Sequence, residues 1–578
     1  MRVRKTSAGL TVRAIAGSHV VLLAMHLDAS RCPGLLGFAI HRSDHGEDEA
    51  YWLEGMKTFA ATDPGFGPEA RYSTRQHPIQ GFTWSDFSAK PGHRYSYRVV
   101  ALRGSPENLL ASEAVTLTVA TETEAGGDHD VFFNRGAAAS QEYARRFAGT
   151  PSLAQAPDTD PRWAWLSRGA FEAIEQFIAA ASGPGFGLRV AAYEFRLPAV
   201  AEALRAARAR GVDVQIVYDG CPNPPDAKTG AVFPRDDNRA TAAAAQLQAI
   251  CTERVTQVGV KNPPISHHKF IVRLQGGAAE AVLTGSTNFS RGGVFGQSNV
   301  VHVVQDPKVA AAYLQCWQLI AANPTPAQLK PALAALNVRP AGKPLKGGNW
   351  LFSPQPGLEA LNWYAEIAAR SPGALFMTFA FGMNDLFKAA YRQGQAPLRY
   401  ALLDKLLGPG ISKARQAAEE AEMLALRKMP QNRFAVGNRI AANSFDRWAK
   451  ETLTGLNSHV QYIHTKFLLA DPLGPDPIVI TGSANFSAAS TNANDENMLV
   501  IRGNKRVADI YLGEYMRLWN HYAFREWLAA GAPGATPEFK HLDVKDRWWR
   551  GYFGNSDRSR QRAYFAGVPA YAALKRAP

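Results

Sequence analysis

This chain has little cysteine, no long apolar run and no glycine-rich phosphate loop, and each shortage excludes a class of protein. Its four cysteines, Cys32, Cys221, Cys251 and Cys316, form no Cys-x-x-Cys pair in 578 residues. They are too sparse for a disulfide framework or a structural zinc site, so a reducing cytoplasm is the expected setting. No stretch approaches the ~18 consecutive apolar residues that span a bilayer. The best candidate, Val20 to Met25, lies between His19 and His26 and reads as a strand. The basic start Met1-Arg2-Val3-Arg4-Lys5 is not followed directly by an apolar core, so no secretory leader is expected. Gly183-Pro184-Gly185-Phe186-Gly187 precedes the apolar run Leu188 to Phe195 instead of following a strand, which makes it a turn and not a dinucleotide loop. Apolar residues (46%) and positive charge (net +14) are plentiful. Several cores can be buried, and the sign of the charge favours an anionic partner, nucleic acid or acidic lipid.

The chain also repeats itself. His267-His268-Lys269 is followed by Gly285-Ser286-Thr287-Asn288, and His464-Thr465-Lys466 by Gly482-Ser483-Ala484-Asn485, with 18 residues from first His to Gly in both copies and a constant offset of 197 from His267 to Ser290. After a one-residue slip, Lys308-Val309-Ala310 matches Arg506-Val507-Ala508. Upstream, 26 residues separate Tyr193 from Asp219 and 25 separate Phe379 from Asp404. Each half therefore reads as strand, helix, strand ending in Asp, insertion, strand with His and Lys, strand ending at Gly-Ser, further strand and closing helix. A duplicated unit of this size suits a domain, not a solenoid repeat.

Residues 1–122 are expected to form an all-β sandwich, with strands at Leu10 to Ile15, His19 to Leu27, Leu36 to Arg42, Tyr51 to Phe59, Ile79 to Trp84, Tyr95 to Leu102 and Val115 to Thr121. The phrase Pro91-Gly92-His93-Arg94-Tyr95-Ser96-Tyr97-Arg98-Val99-Val100-Ala101 resembles the late strand of a fibronectin type III domain. Glu122 to Asp130 reads as a linker, 131–338 and 349–535 as the two halves joined by Arg339 to Gly348, and 536–578 as a basic aromatic arm. From Glu538 onward nine basic residues face four acidic ones, interleaved with Trp548, Trp549, Tyr552, Phe553, Tyr564, Phe565 and Tyr571. Such an arm either packs its rings on the body or offers them to bases or a lipid interface. Lys413 to Lys428 should be a surface helix inserted in the second half.

In an extended strand, side chains two apart share a face, so His267 projects with Lys269 and His464 with Lys466, while His268 and Thr465 point away. Two imidazoles able to give or take a proton near neutrality, two lysines, and Ser286, Asn288, Ser483 and Asn485 as donors to phosphoryl oxygens are what a phosphodiester reaction requires. No metal and no cofactor is expected. Asp219 and Asp404, at matching strand ends, either line the cleft or cap the following loop.

These residues resemble the phospholipase D superfamily, marked by H-x-K-x4-D followed by Gly-Ser or Gly-Gly and Asn. The second copy fits in full with His464, Lys466, Asp471, Gly482, Ser483 and Asn485, whereas the first has Leu274 where Asp471 stands in the second. Tyrosyl-DNA phosphodiesterase-like members also lack that carboxylate. The resemblance covers about 131–535. It implies that one histidine attacks phosphorus to form a phosphohistidine while the other protonates the leaving oxygen, with His267 as nucleophile and His464 as general acid and base. It also implies that Glu496 supports one imidazole, while the first half offers only neutral Gln297 or Ser298. Which histidine Glu496 serves is left open.

The expected architecture is α/β: two pseudo-symmetric phospholipase D-type halves with mixed sheets, preceded by a β-sandwich. The expected activity is metal-independent phosphodiester hydrolysis, with a glycerophospholipid slightly favoured as substrate and a nuclease acting on DNA or RNA as the alternative. A catalytically dead binding protein on the same fold is a third reading, disfavoured by the retention of both His-Lys pairs. Peripheral membrane contact and a monomeric state go with the lipid reading.

Overall fold

The structure is a computed structural model. It describes all residues except 67–69, 137–139, 148–149, 151–152, 154–155, 221–235, 257–263, 409–410, 438–461, 530–540 and 569–578. Cys221 and Tyr571 therefore lie outside the described residues, as does Glu538.

The N-terminal region is a two-sheet β-sandwich. One antiparallel sheet has the order β1 (Arg2–Ser7), β2 (Leu10–Ala16), β3 (Val21–His26), β8 (Thr83–Asp86); the other runs β10 (Asn108–Ala120), β9 (Arg94–Ser105), β4 (Gly37–Asp44), β5 (Glu49–Trp52). A two-stranded ribbon, β6 (Glu54–Gly55) with β7 (Tyr72–Ser73), fills the connection. Alternate residues such as Val12, Leu23, Ile40, Tyr97 and Leu117 meet between the sheets, as period-two patterning requires. Strand β1 falls outside the strands expected from sequence. Its residues Arg4 to Ser7 are exposed, so burial leaves no alternating signature there.

The two halves repeat one seven-stranded mixed sheet. In the first the order is β11 (His129–Phe133), β17 (Val300–Val304), β16 (Ala278–Gly285), β15 (Lys269–Gln275), β12 (Phe186–Ala192), β13 (Asp213–Asp219), β14 (Cys251–Arg254). In the second it is β18 (Gly347–Ser353), β24 (Glu496–Arg502), β23 (Ile478–Gly482), β22 (Phe467–Ala470), β19 (Ala374–Phe379), β20 (Leu398–Leu403), β21 (Asn432–Val436). Parallel β12–β13–β14 and β19–β20–β21 carry the crossover helices Pro198–Ala209 and Asp385–Gln393, and the remaining pairs are antiparallel. The strands are nearly continuous apolar runs because both faces of each sheet are covered.

Between the two sheets lies one shared core, built from Phe270 and Val272 of the first half, Phe467 and Leu469 of the second, and the helices Pro307–Ala321 and Lys505–Ala529. Separate outer cores cover the far faces, with Ile174 and Leu204 on the first half and Leu361 and Phe387 on the second. Burying the same two sheets against common helices brings the carboxyl ends of β13 and β20, and the amino ends of β15 and β22, to the seam between the halves.

The expected linker Glu122 to Asp130 is a fixed segment. Glu122 pairs with the Met1 amino group, Glu124 with His19 at 2.8 Å, and β11 begins at His129. The C-terminal aromatics pack on the sandwich: Phe82 meets Trp548, Tyr552 and Phe553 at ring-centroid distances of 5.5, 5.2 and 5.8 Å. Lys413–Lys428 forms a helix. It docks on the neighbouring helix through Lys388, whose ammonium is shared by Asp385, Glu419 and Glu422.

Candidate active site

Each motif histidine sits one turn of chain before an antiparallel strand, and the other half holds its backbone in place. His267 N–H donates to the Asp495 carbonyl at 2.8 Å and Asp495 N–H to Ile265 at 3.0 Å; at the matching positions His464 N–H donates to Ser298 and Ser298 N–H to Tyr462. Asp219 and Asp404 complete the cradle. Asp219 Oδ1 accepts from Ser266 N–H at 3.0 Å, and Asp404 Oδ1 from Tyr462 and Ile463 N–H at 3.0 and 2.9 Å. The two aspartates thus fix the segment entering each histidine, which is a closer relation to the site than ordinary loop capping.

The imidazoles of His267 and His464 face each other with ring centroids 6.4 Å apart and planes at 79°. Both are 5% exposed, and Lys269 and Lys466 are 1% exposed. Lys269 Nζ donates to the His267 carbonyl and Lys466 Nζ to the His464 carbonyl, each at 2.6 Å. Neither ammonium has a carboxylate in ion-pair contact among the described residues. Burial pushes Lys269 down to about 7, and burial followed by Lys269 holds Lys466 well below the usual lysine value. Burial, then the two lysines, keep both imidazoles well below the ordinary histidine value and so favour their neutral forms. Asn288 and Asn485 each leave an amide oxygen without a hydrogen-bond partner. Two buried lysines and two neutral imidazoles in one seam make a site in which a bound anion would hold the lysines in their charged form.

The supports at Nδ1 differ and are traded between halves. His267 Nδ1 lies 2.7 Å from Glu496 Oε2, and that oxygen also accepts from Ser483 Oγ at 2.7 Å. His464 Nδ1 lies 2.9 Å from Asn299 Oδ1, which accepts from Ser286 Oγ at 2.8 Å. Burial raises the Glu496 carboxyl, and Lys269, Ser483 and Lys466 oppose it. These contacts bear on two expectations. Ser286 and Ser483, expected to donate to phosphoryl oxygens, donate their hydroxyl protons to the Nδ1 partners Asn299 and Glu496. The neutral partner is Asn299, whereas Gln297 accepts from Asn134 through its main chain at 2.7 Å. The signal for Asn299 was in the chain: 197 residues before Glu496 is position 299, so the motif offset applied without the slip finds it. Gly285 and Gly482 serve strand packing, because a Cβ on either would lie 2.2 Å from the carbonyl of Val300 or Asn497.

Asp471 is remote from the site. It follows the far end of β22, five residues beyond Lys466, which is about 16 Å along an extended chain. Its N–H donates to the Ala374 carbonyl at 2.7 Å, its carbonyl accepts from Gly474, and its side chain fills the space above Gly373 and Gly474. Leu274, the matching residue, pairs with Gly187 at the far end of β12 and is buried in the shared core. The substitution therefore exchanges a turn residue for a core residue and leaves the seam untouched.

Four groups near the site carry no motif signature. The Tyr193 ring lies 4.8 Å from that of His267 and beneath Lys269 Nζ at 5.1 Å. His268 turns away to Asn497 Oδ1 at 3.1 Å, and burial pushes it down to about 4. Arg254 and Asp495, both buried, pair across the halves at 2.9 Å behind the His267 segment. Among the described residues, the one group of three acidic or sulfur ligands close enough for a metal is Asp385, Glu419 and Glu422, and Lys388 already occupies its centre. No described helix is long and apolar enough to cross a membrane.

The family model described as cardiolipin synthase, PLD-like domain, matches residues 175–318 and 428–519, one segment in each half and each containing one His-x-Lys pair. No curated protein matches the sequence. Solved structures similar to this chain include polyphosphate kinase from Porphyromonas gingivalis, at 12% identity and TM-score 0.36, covering 57% of this chain and 43% of that one. The phospholipase D family member Nuc from Salmonella typhimurium is 28% identical, with TM-score 0.20, over 27% of this chain and 88% of its own. Phosphatidylserine synthase from Haemophilus influenzae is 12% identical, with TM-score 0.39, over 70% and 93% respectively. Over one segment of each half, the chain is therefore similar to a phospholipase D-like domain.

Proposed function

We propose that the chain is a metal-independent phosphodiesterase in which His267 attacks phosphorus and His464 serves as general acid and then general base. The observation that carries this reading is the pair of imidazoles 6.4 Å apart between two buried lysines. A bound diester supplies the missing negative charge. Lys269 and Lys466 hold its non-bridging oxygens and offset charge that builds in the transition state, and Asn288 and Asn485 donate to the same oxygens.

The division of labour follows from the unlike Nδ1 partners. An imidazole that attacks through Nε2 becomes a cationic N-phosphoryl imidazolium, which an adjacent carboxylate stabilises; Glu496 stands at His267. A general acid must release its Nε2 proton readily, and a neutral amide at Nδ1 raises the proton affinity of the ring less than a carboxylate does; Asn299 stands at His464. On binding, the negative charge of the diester raises the proton affinity of His464, which takes up a proton from solvent and becomes an imidazolium. In the first step the His267 Nε2–P bond forms, the P–O bond to the leaving alcohol breaks, and His464 gives its Nε2 proton to that oxygen and returns to the neutral form. In the second, His464 takes a proton from water or an acceptor alcohol, whose oxygen displaces His267.

A glycerophospholipid is the substrate we favour, with a nuclease of the same superfamily as the second reading because of the +14 charge. Residues 1–122 are proposed as a fibronectin type III-like accessory module, 131–338 and 349–535 as the catalytic halves, and 536–578 as the arm. Location in the cytoplasm, a monomeric state and peripheral membrane contact belong to the same proposal. The test is a paired assay with chelator present, on phosphatidylcholine with an added primary alcohol and on single- and double-stranded DNA. A phosphatidyl-alcohol product is expected. DNA cleavage alone would establish the second reading, and no turnover of either would contradict the first.

A further inference from the structure

The two lips of the seam are built from equivalent positions that carry unlike side chains. Antiparallel pairing sets Ala192 opposite Lys269, and the register of Met377 with Leu468, continued by two residues, sets Phe379 opposite Lys466. Two residues further along each chain stand Glu194 in the first half and Phe381 in the second. The Glu194 side chain is 23% exposed and lies close enough for its charge to act on both lysines of the seam, and Phe381, at the matching register position, is 38% exposed.

Glu194 is held rigidly beside the phosphate-facing groups. Ser290 Oγ, two residues after Asn288, donates to Glu194 Oε2 at 2.6 Å, and Arg196 pairs with Oε1 at 2.7 Å. Arg196 and Leu197 N–H both donate to the Phe289 carbonyl at 2.9 Å, which stitches this turn to the loop bearing Asn288. The neighbouring Tyr193 ring packs on His267. The negative charge of Glu194 reaches both lysines of the seam, raising their proton affinity.

We infer that Glu194 is a specificity-determining residue that separates a lone phosphodiester from one embedded in a polyanion, with Phe381 taking an apolar arm on the opposite lip. This rests on the diesterase reading and deepens it. A nucleic acid brings a second phosphate to the edge of the site wherever its first is held, and on the first-half lip that phosphate meets a fixed carboxylate. A diester whose arms are uncharged, cationic or apolar meets no such repulsion, and its hydrocarbon gains contact with the Phe381 ring. The substrate class is therefore an amphiphile with a single diester, and the net positive charge of the chain acts at longer range than this filter.

The experiment measures kcat/KM of the full chain on three diesters. They are the p-nitrophenyl ester of thymidine monophosphate, the same ester with a second phosphate on its free sugar hydroxyl, and dihexanoyl phosphatidylcholine. The native protein is expected to disfavour the doubly phosphorylated ester by about tenfold, the size of a like-charge contact near a protein surface. Glu194→Gln should shrink that ratio to about twofold, and Glu194→Lys should invert it. Phe381→Ser should lower the lipid-to-thymidine-ester ratio by about tenfold, the worth of a half-buried ring. Thermal unfolding of each variant is followed in parallel, and the isosteric Gln variant decides if the Lys variant does not fold. Equal rates on the two thymidine esters, or an unchanged ratio in Glu194→Gln, would overturn the inference while leaving a working diesterase. Failure to cleave any of the three would overturn the diesterase reading and the inference with it.

Discussion

At Nδ1 of the two motif histidines stand a carboxylate and an amide, and this one difference gives them separable chemistry. His464→Ala is expected to lower kcat by about 10²–10⁴-fold on an alkyl diester, the usual worth of a general acid, and by much less on a p-nitrophenyl diester, whose leaving group needs no proton. His267→Ala should abolish turnover of both. Comparable losses on the two substrates for His464→Ala would contradict the assignment. The pH profile follows from the shifts with their signs. His267 is held below the ordinary histidine value and works unprotonated, so the acid limb of kcat/KM should fall below about 6.5. Lys269 works protonated and is pushed down to about 7, so kcat/KM should fall as pH rises through that value. The kcat profile should persist to higher pH, because a bound anion raises the lysine's proton affinity. A kcat/KM that stays flat from pH 6 to about 9 would be inconsistent with this. At this scale the sequence was informative where a residue type recurs at fixed spacing, as for His267, Lys269 and Asn288. It was silent on the placing of Tyr193 and Glu194, because strand register, which matches Phe379 with Ala192 and not with Tyr193, gives them the unlike counterparts Ala380 and Phe381. It gave no sign that the Ser286 and Ser483 hydroxyls turn to Asn299 and Glu496, since a hydroxyl's partner is set by side-chain direction and not by spacing.

Leu274 and Asp471, at the motif carboxylate position of the two halves, both stand at strand ends away from the seam. Leu274 occupies a buried strand end, so restoring the motif with Leu274→Asp should place an unpaired carboxylate in the shared core. A loss of about 3 kcal/mol or more in urea unfolding is expected, with no gain in kcat. Asp471→Ala should loosen the turn after β22 by about 1 kcal/mol, with kcat preserved. A rise in activity for the first variant, or its collapse for the second, would return Asp471 to the chemistry. A second element-level feature joins the halves behind the seam. His129 Nδ1 and His302 Nε2 are 3.0 Å apart, His302 Nδ1 is 2.9 Å from the Tyr511 hydroxyl, and that hydroxyl donates to Thr481 at 3.2 Å. Taken back along the chain, Tyr511 accepts from His302 and His302 accepts from His129, so each ring is neutral with one proton. Burial pushes His129 down to about 4 and His302 lower than its usual value. Their contribution is present above the unfolded value of about 6.5 and is lost as pH falls toward the depressed folded values. Urea midpoints measured down that range should fall, and His302→Gln should flatten the fall. The order of strands within each sheet was not legible in the sequence, whereas the succession of strands and helices along each half was legible from apolar runs and turn residues. The edge strand β1 was not, because its residues Arg4 to Ser7 are exposed and polar.

Across the whole molecule, each half finishes the other's active site: Glu496 and Asp495 serve His267, Asn299 and Ser298 serve His464. The duplication pointed to two lobes around one substrate. The exchange of Nδ1 partners could not be deduced from it, because a repeat fixes what each lobe contains and not how the lobes dock. The same holds for the ends of the chain. Trp548 donates through Nε1 to the Leu35 carbonyl at 2.8 Å and packs on Phe38 and Phe82, so the C-terminal segment helps close the core of the N-terminal sandwich. Residues 1–122 expressed alone should therefore unfold without the cooperative transition of the intact chain, and Trp548→Ala should cost the full protein about 2–3 kcal/mol. A fragment that melts cooperatively at the temperature of the intact protein would show the sandwich to be self-sufficient. The central claim concerns the seam itself, where two imidazoles from opposite lobes share one phosphorus. It is tested most directly by quenching the His464→Asn variant during turnover of a p-nitrophenyl diester and mapping the phosphoryl group by mass spectrometry under alkaline conditions. The account requires the label on the peptide containing His267. A label on the residue 464 peptide of the converse His267→Asn variant, or full turnover with no labelled histidine, would contradict it.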